Sequence, residues 1–446
     1  MKKIAAYLIC AMTVLSMASG SLAMETMKRG TRGDDVREMQ EMLISLGYLE
    51  EGGADGIFGA KTEKAVLAFQ QDQALDATGM AGEGTWNTLK EACAGEEADA
   101  APSAEDPGAG VDYASVFPSW DPDSPSLHAL VDFVAEVVNE SGSEYLPPAD
   151  RIATFDMDGT IICEKAPVYV DYCLTMYRVL DDPDFNATEE ERDAMQQIRD
   201  HAYADGTVFH PEGISKDDLV ATAFAGMTPA QFRSYVVDFV DNTDVIGFEG
   251  MTYGQSFYKP MIEVIQFLRD NDFDVWMVSA CEREVVRAIV ERYDFPYDHV
   301  IATDVPYVAS SKGEEPSDDY NMGQDEVMLL GAPLDEVECG KSGKSAAIAR
   351  EIGKRPVLAF GNSSGDFSML NYAQGNPDHT GMGFFVVCDD TEREYGNDEK
   401  ADEYYAEVEK EGWTAISMAD DWATIYGEGV RKTELPGAAE ALSDAA

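Results

Sequence analysis

Apolar residues are spaced in two ways along this chain. Near the start, Val36, Met39, Leu43 and Leu46 recur at three- and four-residue intervals. This spacing predicts an amphipathic helix over 34–46, with Asp34 or Asp35 near its start and Gly47 at its end. A turn-rich stretch, Gly52 to Gly59, precedes a second predicted helix that starts at Thr62 and carries Ala65, Val66 and Phe69. Thr78-Gly79 reads as a turn, and Thr85 as the cap of a third short helix holding Trp86 and Leu89. Three helices in about 65 residues bury only a modest core, so their loops must be tightly set.

Further on, short, mainly apolar runs read as buried strands: Arg151–Phe155, Phe273–Val278 and Pro356–Phe360. Between Cys163 and Tyr258 the apolar spacing turns helical over 166–180, 188–204, 215–226 and 228–240. Residues 115–430 therefore form a long mixed α/β region, and residues 28–92 a separate small block. No internal repeat stands out. The segment 93–114 is rich in Ala, Glu, Asp, Gly and Pro and reads as a linker. The end of the chain, 431–446, is small and polar, and is expected to be mobile.

The first residues have a different character. Lys2 and Lys3 precede the apolar run Ile4–Met17, and Ser21-Leu22-Ala23 closes it with two small residues. This is the pattern of a secretory signal peptide over 1–23, with cleavage expected after Ala23. The run falls short of the roughly 20 residues a spanning helix needs, and no later stretch is long and apolar enough to span. The protein is therefore expected to be secreted, extracellular and without a membrane span once the leader is removed.

Charge narrows the partners. Lys and Arg number 32 against 85 Asp and Glu, a formal net charge of −53. A chain this acidic repels phosphate backbones, so nucleic-acid binding is set aside. Without Cys10 of the leader, six cysteines remain: Cys93, Cys163, Cys173, Cys281, Cys339 and Cys388. No CxxC pair occurs among them. A zinc cluster is therefore not expected; an even count outside the cytoplasm permits disulfides, while the apolar segments that flank most of the six favour buried free thiols.

The candidate chemistry sits at the ends of the predicted strands. Asp156-Met-Asp158-Gly159-Thr160 follows the first one. Two carboxylates at a strand's carboxyl end point into the crevice where open α/β sheets bind ligands. Gly159 lets the backbone turn and direct N–H groups at an anion. Ser279 ends the second strand, Gly343-Lys344 opens a helix, and Gly361-Asn362-Ser-Ser-Gly365-Asp366 ends the third. Each residue has a plainer reading: Ser279 and Asp366 as helix caps, Lys344 or its competitor Lys341 as a solvated surface cation.

Taken together, Asp156, Ser279, Lys344 and Asp366 in that order resemble the haloacid dehalogenase-like (HAD) hydrolases over roughly 115–425. The helical insert at about 164–258 resembles the cap of phosphoserine-phosphatase-like members. Ser119-Trp120 and Tyr145–Arg151 are similar to secreted bacterial phosphatases of this type. The implied fold is α/β, a Rossmann-like core with a parallel sheet and a helical cap inserted after the first strand.

The small block resembles the three-helix peptidoglycan-binding domains, through Gly30-x-x-Gly33-x-x-Val36, Met39-Gln40-x-x-Leu43, Gly47-Tyr48, Asp55-Gly56-x-Phe58-Gly59 and Thr85-Trp86-x-x-Leu89. That likeness implies peptidoglycan as a partner of residues 28–92 and association with the bacterial cell wall. Asp55 reads equally as a turn cap or a ligand contact.

The HAD resemblance implies a Mg²⁺-dependent phosphomonoesterase. Asp156 would be the nucleophile and Asp158 the proton carrier, with Ser279 and Lys344 holding the transferring oxygens alongside N–H groups near Met157 and Gly159. Asp156, Asp158 (through its carbonyl) and Asp366 would hold Mg²⁺. Gly159, Glu164 and Asn362 are candidate substrate contacts. Two departures stand out. Position 362, often Asp in the family, is Asn, which removes a negative charge. Glu164 falls one residue short of the carboxylate with which phosphoserine phosphatases grip the substrate amine; Lys165 occupies that place. Phosphoserine is therefore one candidate among small phosphomonoesters. Lys165, Arg283 and Arg287 are possible anion contacts. An inactive wall-associated binding protein and a phosphotransferase on the same fold remain open alternatives.

Overall fold

The computed structural model describes residues 26–49, 53–73, 75, 78–95, 111–164, 167–214, 216–304, 306–313, 319–331 and 339–437. The expected leader at 1–23, most of the expected linker, the last tail residues and Lys165 lie outside the described residues. The chain divides into two units, Met1–Ala109 and Gly110–Ala446.

The first unit holds α1 (Asp34–Ser45), α2 (Ala60–Asp72) and α3 (Glu83–Gly95). Val36, Met39, Leu43, Phe58, Val66, Phe69 and Leu89 form its core. Two buried glutamines set its loops. Gln40 donates to the Ile57 carbonyl at 2.9 Å and the Thr62 hydroxyl at 2.9 Å, and accepts from the Gly56 N–H at 2.8 Å. Gln70 donates to the Met80 carbonyl at 2.8 Å and the Thr85 hydroxyl at 2.9 Å, and accepts from the Gly79 N–H at 2.9 Å. The same bonds recur one helix later, and Asp55-Gly56 to Thr62 aligns with Thr78-Gly79 to Thr85. An internal repeat is therefore present after all, carried by side-chain amides that bind main-chain groups. Thr85 does not cap α3, which begins two residues earlier; its hydroxyl serves Gln70. Asp55 caps its own turn, accepting from the Ile57 N–H at 2.9 Å and from Gln40 at 2.6 Å.

The second unit opens with α4 (Tyr113–Val116) and α5 (Pro125–Val138), then β1 (Ile152–Phe155). The cap follows: α6 (Val170–Met176), extended by a wider turn over Tyr177–Asp181, then α7 (Glu189–Asp205), α8 (Lys216–Phe224), α9 (Pro229–Asn242) and β2 (Phe248–Glu249). The chain then returns to the core with α10 (Lys259–Asp270), β3 (Asp274–Glu282), α11 (Arg283–Val290) and β4 (Val300–Thr303). A hairpin, β5 (Tyr307–Ala309) and β6 (Met328–Leu330), precedes α12 (Ser342–Glu351), β7 (Leu358–Gly361), α13 (Phe367–Gln374), β8 (Met382–Val387), α14 (Asp398–Glu411), β9 (Thr414–Ser417) and β10 (Arg431–Lys432).

Six strands form one parallel sheet in the order β4-β3-β1-β7-β8-β9. The strands are apolar without alternation because both faces are covered. Phe360, Phe384 and Val386 join a core with α5 and α10, while their neighbours Ala359, Phe385 and Val387 face α12, α13 and α14. The order reverses between β1 and β7, and ligands bind at such a switch point, beyond the strands' carboxyl ends.

Cap helices α7 and α9 each start with a reciprocal capping pair, Thr188 with Glu191 and Thr228 with Gln231. Residues 431–437 are not the loose tail their composition suggested. β10 pairs with β2, the Thr433 N–H donates to the Gly247 carbonyl and the Gly437 N–H to the Tyr203 carbonyl, both at 2.8 Å. Leu435 is buried. Strand pairing, these main-chain bonds, the buried Leu435 and the Lys432 ammonium, which donates to the Thr391 and Glu394 carbonyls at 2.9 and 2.8 Å, hold the segment together.

Candidate active site

Phe155 and Phe360, paired in register and stacked with ring centres 4.2 Å apart, bring the ends of β1 and β7 together. The Asp156 N–H continues the ladder to the Phe360 carbonyl at 2.9 Å. Asp156 thus leaves its strand beside Asn362, and the first turn of α12 approaches from the neighbouring helix layer.

Lys344 lies at the centre of this meeting point and is 2% exposed. Its ammonium donates to Asp156 Oδ1 at 2.5 Å, Asp366 Oδ1 at 2.6 Å and the Val278 carbonyl at 2.8 Å, using all three protons. Lys341, its competitor in sequence, is exposed at the cap position just before the helix, with a φ of 51°. Burial pulls the Lys344 ammonium towards neutrality, but Asp156 and Asp366 more than offset this and hold it charged. Burial and the Asp366 charge push the Asp156 carboxyl upward, against Lys344.

Asp366 is held from its other side. Its Oδ2 accepts from the N–H groups of Asn362 and Ser363 at 3.1 Å each and from the Ser363 hydroxyl at 3.2 Å. Asp158 is different: its buried Oδ1 has no hydrogen-bond partner among the described residues. Burial, then the charges of Asp171, Asp156 and Glu164, raise its carboxyl well above the usual carboxylate range.

Ser279 is buried at the pocket wall, its hydroxyl accepting from the Cys281 N–H at 3.1 Å. It does not cap α11. Glu282 does so, accepting from the Glu284 and Val285 N–H groups at 3.0 and 2.8 Å. Gly159 has a φ of 78°, and a Cβ there would lie 1.9 Å from Asn362 Nδ2. Its N–H is already donated to the Ile162 carbonyl at 2.8 Å, and the Met157 N–H serves the Asp156 carboxylate. Gly159 itself provides room, because the turn spends its own N–H internally. Glu164 and Asn362 both line the pocket and bond to each other at 3.1 Å. Arg283 is committed to Asp304 and Glu351, and Arg287 to Glu284, so neither reaches the pocket.

The pocket encloses about 1430 Å³ between core and cap. Sequence reasoning missed Thr160, whose hydroxyl lies 3.4 Å from both Asp156 Oδ2 and Asn362 Oδ1. It also missed Asp171 and the tyrosines Tyr169, Tyr172 and Tyr404 in the lining. Short motifs do not mark cap residues, whose place depends on how the cap docks.

Among the described residues no three His, Cys, Asp or Glu side chains converge on one ion. Two carboxylates do converge, since Asp156 and Asp366 share one ammonium. Their carboxylate oxygens are the kind of donor hard divalent cations take, so the residues present fit Mg²⁺ by donor chemistry.

A parallel sheet with an Asp-x-Asp-Gly-Thr loop at its switch point, a buried lysine, a second acidic loop and an inserted helical cap defines a class, the haloacid dehalogenase-like hydrolases. The family model of that description matches residues 153–371, and that of the putative peptidoglycan binding domain matches residues 32–89. The chain is thus a haloacid dehalogenase-like hydrolase domain fused behind a domain of the peptidoglycan-binding family.

Solved structures resemble it in parts. A conserved protein of unknown function from Anaerococcus prevotii is 14% identical, over 67% of this chain and 92% of that one, with a TM-score of 0.44. A phosphoserine phosphohydrolase-like protein from Francisella tularensis is 14% identical, over 53% and 87%, with a TM-score of 0.30. The SleB N-terminal domain is 36% identical over 16% of this chain and 93% of that one, with a TM-score of 0.15. Among the described residues no helix is long and apolar enough to cross a membrane.

Proposed function

We infer that the protein is a secreted, Mg²⁺-dependent phosphomonoesterase held at the cell wall by its first unit. The observation that carries this reading is the Lys344 ammonium, which joins the carboxylates of Asp156 and Asp366 at the sheet's switch point. Asp156 attacks phosphorus in line, forming an aspartyl-phosphate as the ester P–O bond breaks. Asp158, whose carboxyl is raised above the usual carboxylate range by burial and by the charges of Asp171, Asp156 and Glu164, gives a proton to the leaving alkoxide. It then takes a proton from water, whose oxygen attacks phosphorus and breaks the Asp156 O–P bond to release phosphate. Lys344 holds the Asp156 and Asp366 carboxylates in place and supplies positive charge beside the transferring oxygens, which the Ser279 hydroxyl orients. Asp156, the Asp158 carbonyl and Asp366 would hold Mg²⁺, which supplies charge neutralisation between an anionic substrate and an acidic site.

The first unit raises the enzyme's concentration near the wall by tethering it there. Phosphoserine and other small phosphomonoesters are the candidate substrates. Hydrolysis of para-nitrophenyl phosphate with and without Mg²⁺, beside Asp156→Asn, tests the reading. Mg²⁺-dependent release by the wild type alone is expected. Equal release by both proteins would remove Asp156 as nucleophile, and no release by either would favour a binding protein.

A further inference from the structure

The contact between Asn362 and Glu164 joins the end of β7 to the segment that leads from β1 into the cap. The Asn362 carboxamide is oriented at both ends: Nδ2 donates to Glu164 Oε2 at 3.1 Å, and Oδ1 faces the Thr160 hydroxyl at 3.4 Å. The Tyr169 hydroxyl bonds the same glutamate. Both side chains rest on the bare backbone of Gly159. A Cβ there would come 1.9 Å from Asn362 Nδ2 and 2.9 Å from Glu164 Oε2. The Glu164 carboxylate is therefore fixed directly over the loop that carries Asp156 and Asp158.

Charge gives this placement a consequence. Asp156 and Asp366 share the single positive charge of Lys344, which leaves the pair with one net negative charge for a divalent cation. A carboxylate at position 362 would add a second, but it would confront Glu164 at hydrogen-bond distance, where like charges repel strongly. A neutral donor at 362 removes that conflict and holds the glutamate in place.

Resting on the phosphatase reading above, we propose that Glu164 supplies the further negative charge of the cation site and that Asn362 is its positioning residue. The two positions share one charge between them. Glu164 then acts on the cation, and gripping the substrate is not its role.

The test uses Mn²⁺ alone as probe, titrated into the full chain and followed by the electron paramagnetic resonance of the free ion. Wild type, Glu164→Gln, Asn362→Asp and the double variant are compared, each checked by thermal melting. Glu164→Gln is expected to weaken Mn²⁺ binding by about tenfold, in the range seen when groups around a metal's direct ligands are removed. Adding Asn362→Asp to it moves the charge across the contact and is expected to restore most of that loss. Unchanged Mn²⁺ affinity in Glu164→Gln, with only KM for the phosphoester raised, would overturn the proposal in favour of a substrate contact. A double variant that binds no better than Glu164→Gln would overturn the charge-sharing. Wild type that binds Mn²⁺ but hydrolyses no phosphomonoester would sink the phosphatase reading alone, with this proposal still decided by the four affinities.

Discussion

Replacing Lys344 with methionine keeps most of the side chain's volume and removes its charge. Three short hydrogen bonds, at 2.5, 2.6 and 2.8 Å, disappear from a site that is almost fully enclosed. Asp156 and Asp366 are then left buried with like charge and no shared counter-ion. Breaking a buried ion pair from one side costs about 3–5 kcal/mol, mostly from the charge left behind. Lys344→Met should lie in that range at neutral pH, a large share of the stability of a typical domain. Urea unfolding followed by tryptophan fluorescence reports on the second unit, because Trp120, Trp276, Trp413 and Trp422 lie there and only Trp86 lies in the first. Adding Asp366→Asn to Lys344→Met should recover part of the loss, since one of the two stranded charges is gone. A loss below about 1 kcal/mol, the scale of an exposed pair, would refute the view that this lysine neutralises two buried carboxylates.

Other predictions concern pH, backbone space and the first unit. Burial raises the Glu282 carboxyl to about 8, although two N–H groups oppose the shift. A folded-state pKa above the unfolded one gives stability that is present in acid and lost as pH climbs towards about 8, by up to about 1.4 kcal/mol per pH unit. Glu282→Gln should therefore gain on the wild type as pH rises from 5 to 8, measured by urea unfolding; parallel pH profiles would contradict this. Gly159→Ala should abolish phosphatase activity in a folded protein, since the new methyl group displaces Asn362; retained activity with unchanged circular dichroism would be at odds with the packing described. The full chain should co-sediment with purified sacculi and lose that property when residues 26–92 are deleted; equal sedimentation of both would reduce the first unit to a spacer.

How much of this was legible in the sequence depended on the range of each interaction. Asp156, Asp158 and Gly159 stood out because strand, turn and carboxylates are contiguous. Lys344 was separable from Lys341 only in three dimensions, where the start of α12 turns one lysine inward and leaves the other in solvent. The repeated roles of Gln40 and Gln70 were hidden because their partners are mainly backbone groups, which tolerate many side chains. Burial of Leu435 turned on a cap surface that composition does not reveal. The bond from Asn362 to Glu164 spans 198 residues, so no local pattern announced it, and the neutral residue at 362 read only as a missing charge.

In the proposed mechanism Asp156 itself takes the phosphoryl group. Asp158→Asn removes the base that activates water, while para-nitrophenolate leaves without needing a proton. Mixing this variant with para-nitrophenyl phosphate and Mg²⁺, quenching in acid and mapping peptides by mass spectrometry should find one phosphoryl group on Asp156. A phosphoryl group on any other residue, or none on Asp156 although para-nitrophenolate is released stoichiometrically with the enzyme, would contradict it.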